Sequence, residues 1–127
     1  YAPTTDLSED EAQMLRDYLA GGGKAMILFG DTSSADLPNL AGVLSEYGIE
    51  AADGYIADPT RCYQGNYYYI FPELSVSGDM ADGISSEMVL LTNAHGMNLG
   101  DPERDTISTT SFMSSSDQAY AVTEETR

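Results

Sequence analysis

The feature that most constrains this 127-residue chain is the run Lys24-Ala25-Met26-Ile27-Leu28-Phe29-Gly30. It is short, apolar through its middle, and bounded by Gly21-Gly22-Gly23 before it and the polar loop Gly30-Asp31-Thr32-Ser33-Ser34 after it. No alternation of polar and apolar residues marks a solvent face. Such a run suits a strand covered on both sides, as in a parallel sheet with helices packed against it.

Two amphipathic stretches flank the run. Ser8 and Glu11 have the spacing of a capping box, and Glu9, Asp10 and Glu11 put negative charge where a helix start is positive. Leu15, Tyr18 and Leu19 then recur at helical spacing with Met14 beside them, which predicts a helix over Ser8–Ala20 that stops at the three glycines. Leu40, Val43, Leu44 and Tyr47 align in the same way and predict a second helix over Leu37–Tyr47, with Gly48 as its stop. Ile49 to Ala57 follows as a second strand, interrupted at Asp53-Gly54. This rhythm predicts a βαβ unit and a mostly parallel sheet, with Lys24–Phe29 an inner strand and Met88–Leu91 also inside. Thr106 to Phe112, rich in Thr and Ser, predicts a strand nearer an edge. Nothing resembling a linker divides the chain, so residues 1–127 are expected to form one domain.

Charge narrows the partners. Five Lys+Arg stand against 21 Asp+Glu, for a net charge of −16. Nucleic acid and anionic lipid headgroups both demand the opposite balance, and phosphate would be repelled by the acidic helix start. A neutral or cationic partner is expected. The hydrophobic share of 42% supplies a core. No apolar run approaches the ~20 residues of a membrane span. The opening at Tyr1-Ala2-Pro3 suggests a piece cut from a longer protein.

Few residues carry obvious chemistry. The single cysteine, Cys62, excludes an internal disulfide and a multi-cysteine zinc site. Its context, Thr60-Arg61-Cys62-Tyr63-Gln64-Gly65, lacks the glycine of a nucleophile elbow. His95 is the only histidine, in Asn93-Ala94-His95-Gly96, with no metal-binding partner at a recognisable spacing. Spacing alone leaves a Cys62–His95 catalytic pair open. The carboxylate clusters Asp101, Glu103, Asp105 and Asp79, Asp82 match no calcium loop, and no glycine pattern fits a nucleotide. No metal and no cofactor is expected. Tyr63 and Tyr67 to Tyr69 are either half core and half surface, or stacking faces for a sugar or peptide.

The ordered series of motifs resembles one family. Pro3-Thr4-Thr5-Asp6-Leu7-Ser8 with Glu11, then Leu15, Tyr18-Leu19 and Gly22-Gly23-Lys24, then the apolar run, is similar to the GldG-like auxiliary component of ABC-type transport systems, linked to gliding motility. Leu37-Pro38-Asn39-Leu40, Leu44 and Tyr47-Gly48-Ile49 continue the match, and Ile107 to Ser111 looks similar to a later strand. The resemblance covers most of the chain and is firm up to about Asp58. It implies a three-layer α/β domain similar to class I glutamine amidotransferase-like folds, without their catalytic elbow. It also implies a membrane-anchored parent, a position on the extracytoplasmic side of the membrane, and ABC permease and ATPase components as partners.

The expected function is therefore a non-catalytic auxiliary domain that acts by binding a glycan, a peptide or a partner. Two alternatives stay open: an amidotransferase- or hydrolase-like enzyme using Cys62 and His95, and a domain that only assembles subunits. Ligands of open α/β sheets sit beyond the carboxyl ends of the strands. The loops expected there supply Asp31, Thr32 and Ser33, then Asp58, Tyr63, Tyr67 and Tyr68, then Asn93 and His95.

Overall fold

The computed structural model describes residues 1–30, 32–84 and 87–123. The chain divides into two compact units, each built from two stretches of sequence. Unit 1 comprises Tyr1–Asp53 and Met97–Thr109; unit 2 comprises Gly54–Gly96 and the described part of Thr110–Arg127.

Unit 1 carries the two expected helices. α1 spans Glu9–Ala20 with Ser8 as its cap. The Ser8 hydroxyl accepts the Glu11 N–H at 3.2 Å, and the Glu11 carboxylate accepts the Ser8 N–H at 2.8 Å. α2 spans Pro38–Glu46, after a 3-10 turn at Ser34–Asp36. Its cap residue, Leu37, has no side chain that can cap. Asp6 does this from a distance, its carboxylate accepting the N–H groups of Asn39 at 2.8 Å and Leu40 at 3.1 Å. The Asn39 side chain answers by donating to the Leu7 carbonyl at 2.7 Å. One aspartate thus binds the start of α2 to the lead-in of α1, and both motifs share one physical purpose. Arg16 of α1 pairs with Glu46 of α2 at 2.7 Å. Ala12, Leu37, Leu40 and Val43 are almost fully buried and form the core. Gly48 turns the chain out of α2 at φ +74, and a Cβ there would lie 2.6 Å from the Gly100 carbonyl oxygen. The chain then enters β1, Ile49–Ala51, which pairs antiparallel with β7, Met97–Leu99.

Unit 2 is made of short antiparallel pairings. β2 (Tyr55–Ala57) pairs with β9 (Tyr120–Val122). β4 (Asn66–Ile70) lies between β3 (Cys62–Tyr63) and β6 (Leu91–Thr92). β5 (Glu73–Leu74) pairs with β8 (Met113–Ser114), and α3 covers Asp79–Ile84. β3 and β4 are joined by Gln64-Gly65 at φ +49 and +77, the two left-handed residues of a tight hairpin turn. Gly54, at φ +81, approaches Val122 so closely that a Cβ would sit 2.3 Å from its carbonyl oxygen.

The expected three-layer, mostly parallel α/β sheet is not what the chain forms. Every strand pairing among the described residues is antiparallel, in separate sheets of two or three strands. Lys24–Phe29 is not an inner strand. It is extended, with Met26 73% and Leu28 53% exposed, and is tied through Tyr1, whose ammonium donates to the Met26 carbonyl while its own carbonyl accepts the Leu28 N–H. Met88 is 81% exposed and precedes β6, so Met88–Leu91 is not inside either. Thr106 to Phe112 forms no strand. For the two apolar runs the physical reason is shared. An apolar run states what its side chains prefer, but burial on two faces needs neighbours on both sides. The strand after α2 breaks at Asp53-Gly54 into β1 and β2, which belong to different units and take their partners from the distant β7 and β9.

Candidate functional site

Asp58 is the most constrained of the residues singled out above. It follows β2, is fully buried, and its carboxylate accepts four hydrogen bonds. Two come from the local N–H groups of Thr60 and Arg61, at 3.0 and 3.1 Å. Two come from Ser116, its N–H at 2.8 Å and its hydroxyl at 2.7 Å. Burial pushes the Asp58 carboxyl upward, but the bonds from Ser116, Arg61 and Thr60 outweigh it and hold the group below its ordinary value. A carboxylate so occupied is a staple between the turn after β2 and the segment after β8. It has little left to offer a ligand.

The other residues separate between the units. Thr32 and Ser33 belong to unit 1, where Thr32 donates to the Pro3 carbonyl at 3.3 Å and Ser33 to Asp53 at 3.1 Å. Asp31 lies outside the described residues. Tyr63, Tyr67, Tyr68, Asn93 and His95 belong to unit 2. Without a parallel sheet there is no common carboxyl edge for these loops. Asn93 occupies the left-handed region at φ +51, which Asn tolerates, and donates its N–H to the Tyr68 carbonyl. His95 donates from Nδ1 to the Gly54 carbonyl at 2.7 Å and lies against the Tyr55 ring, centroids 4.9 Å apart. The Cys62 thiol lies 3.7 Å from the Pro59 carbonyl oxygen.

What the structure does gather is a tyrosine face. Along β4, Tyr67 and Tyr69 point to one side and are 44% and 37% exposed, while Ile70 on the other side is buried and Tyr68 half-buried. Thr92 of β6 lies opposite Tyr69. Tyr63, 42% exposed, sets its ring edge-on to Phe71, centroids 5.9 Å apart, and Phe71 continues the Tyr67–Tyr69 alternation. The Tyr67 and Tyr69 hydroxyls have no hydrogen-bond partner among the described residues. Flat rings with free hydroxyls on a pleated surface suit a ligand that stacks and accepts hydrogen bonds. The sequence places Tyr67, Tyr68 and Tyr69 in one cluster without separating the exposed Tyr67 and Tyr69 from the half-buried Tyr68. Gln64-Gly65 was the available signal, because a hairpin turn there puts β4 on a period of two.

Unit 1 has a concavity of its own. A groove of about 470 Å³ runs beside α2 and the β1–β7 ribbon, with Phe29, Leu44, Ile49 and Leu99 as apolar lining and Glu50 and Asp101 as its only charged residues among those described. Among the described residues no cluster of His, Cys, Asp and Glu could hold a metal ion, and no helix is long and apolar enough to cross a membrane. No protein-family model, no curated protein and no solved structure matches this chain.

Proposed function

We propose that this chain is a non-catalytic auxiliary module of an ABC-type transport assembly, held on the extracytoplasmic side of the membrane, that binds a neutral glycan on the tyrosine face of unit 2. The place in a transport assembly rests on the ordered series of motifs from Pro3 to Ile49. Binding rests on a single observation: Tyr63, Tyr67 and Tyr69 lie exposed together on one small sheet. Tyrosine rings stack against the apolar faces of sugar rings while their hydroxyls bond the sugar hydroxyls, and neither interaction needs charge. A net charge of −16 disfavours anionic sugars.

Titrating the chain with neutral oligosaccharides, followed by amide NMR, tests this reading. Shifts should concentrate at residues 63–71 and 91–92. Tyr67→Ala or Tyr69→Ala should each weaken binding by about tenfold. Absence of saturable binding, or binding untouched by both substitutions, overturns it. Co-purification of the membrane-anchored parent with ABC permease and ATPase subunits tests the placement separately.

A further inference from the structure

The outer edge of β7 in unit 1 is an unpaired strand edge, and Leu99 on that edge also lines the groove that holds Glu50 and Asp101. The Gly100 N–H donates to the Gly48 carbonyl at 2.8 Å, which fixes the phase of the ribbon. With Ile49 opposite Leu99, Glu50 opposite Asn98 and Ala51 opposite Met97, the hydrogen-bonded pairs are 48 with 100 and 50 with 98. The backbone N–H and C=O groups of Met97 and Leu99 therefore point away from β1. None has a partner among the described residues, and all three residues of β7 are exposed. An edge of this kind is a template for another strand unless something blunts it. No proline, lysine or bulge does so here.

The geometry points to a docking site for an extended basic peptide segment of another protein, added antiparallel to β7. Backbone groups of the incoming strand would bond Met97 and Leu99. Its apolar side chains would enter the groove at Leu99, Ile49, Leu44 and Phe29, and its basic side chains would meet Glu50 and Asp101. Charge selects this occupant over a second copy of the chain. Among the described residues the groove carries two carboxylates and no cation, and two copies would bring together −16 and −16. The inference is independent of the glycan reading, which concerns residues of unit 2 alone.

The test titrates the chain with a capped peptide of alternating lysine and valine, read by amide NMR. Shifts should appear at Met97, Leu99 and Gly100, and affinity should fall as salt is added. A peptide N-methylated on its bonding edge should lose binding. So should Met97→Pro, which removes an outward N–H but leaves the β1–β7 bonds in place, as an unchanged Gly100 amide would verify. The double variant E50Q/D101N should bind about fivefold more weakly. Tyr67→Ala should bind the peptide as the parent chain does, whether or not it binds glycan. Equal binding of an alternating glutamate–valine peptide, or retained binding of the N-methylated one, overturns the proposal. Concentration-dependent self-association that perturbs the same amides would assign the edge to a second copy and overturn it as well.

Discussion

Each unit is tied at one point by an aspartate that gathers N–H groups, and the two aspartates work differently. Asp6 in unit 1 is half-buried and accepts from two successive N–H groups at the start of α2. Those groups are orphaned at any helix start, and the carboxylate adds a favourable charge at the positive helix end. Asp58 in unit 2 is fully buried and accepts from Thr60, Arg61 and Ser116 at once. Water does not reach it. Removing it would leave several donors unsatisfied in a unit whose strands are only two to five residues long. Unit 1 rests on a helix pair with a real apolar core and uses its aspartate as a trim. Unit 2 has little core beyond Ala57 and Ile70, and there the aspartate is a principal tie.

The largest effect should follow from Asp58→Ala. Unit 2 is expected to lose about 3 kcal/mol, since charged hydrogen bonds are broken and buried donors orphaned. Residue-resolved amide exchange checks this: protection should fall around Thr60, Arg61 and Ser116 and persist in α1 and α2. An equal fall in both units would break the comparison. The acid limb sharpens it. Because the carboxyl is held below its ordinary value of 3.8, its stabilisation is fully present above that pH and is lost as pH falls through the lowered value. In Asp58→Asn that part of the acid sensitivity should vanish.

A smaller effect is expected from Asp6→Ala, about 1–2 kcal/mol, confined to the start of α2 and read at the Asn39 and Leu40 amides. Matching the cost of Asp58→Ala would mean that both aspartates are equally structural. Glu46→Gln should be the mildest. The Arg16–Glu46 pair has side chains 30% and 25% exposed, and such pairs contribute about 0.5 kcal/mol. Thermal melts in low and high salt should differ less for the variant than for the parent chain.

Local signals in the sequence were reliable where the physics is local. Ser8 and Glu11 are three residues apart and form the capping box their spacing announces. Leu40 and Val43 are buried as their helical stripe requires, and Gly48 ends α2. Where the physics is long-range, the sequence said little. The long-range partners of Asp6 and Asp58, Asn39 and Ser116, lie 33 and 58 positions away, and no local pattern announces either pairing. The run Lys24–Phe29 announced apolar side chains correctly and their surroundings incorrectly, since neighbours are not written in the run itself. The tyrosine cluster lay between. Its position was visible, but its exposed members depended on a hairpin turn that Gln64-Gly65 signals less loudly than Asn-Gly does.

The interleaving of the two units bears on how the protein is made. β1 lies in the first stretch of unit 1, and its partner β7 lies in the second, beyond the whole first stretch of unit 2. On a ribosome adding roughly 5–20 residues per second, β1 emerges roughly 2–10 seconds before β7 does. During that interval the capped helices can already pack, but the ribbon edge beside them stands open. A nascent chain of this design passes through an interval in which that edge lacks its partner strand, and ribosome stalling within residues 52–96 would prolong it.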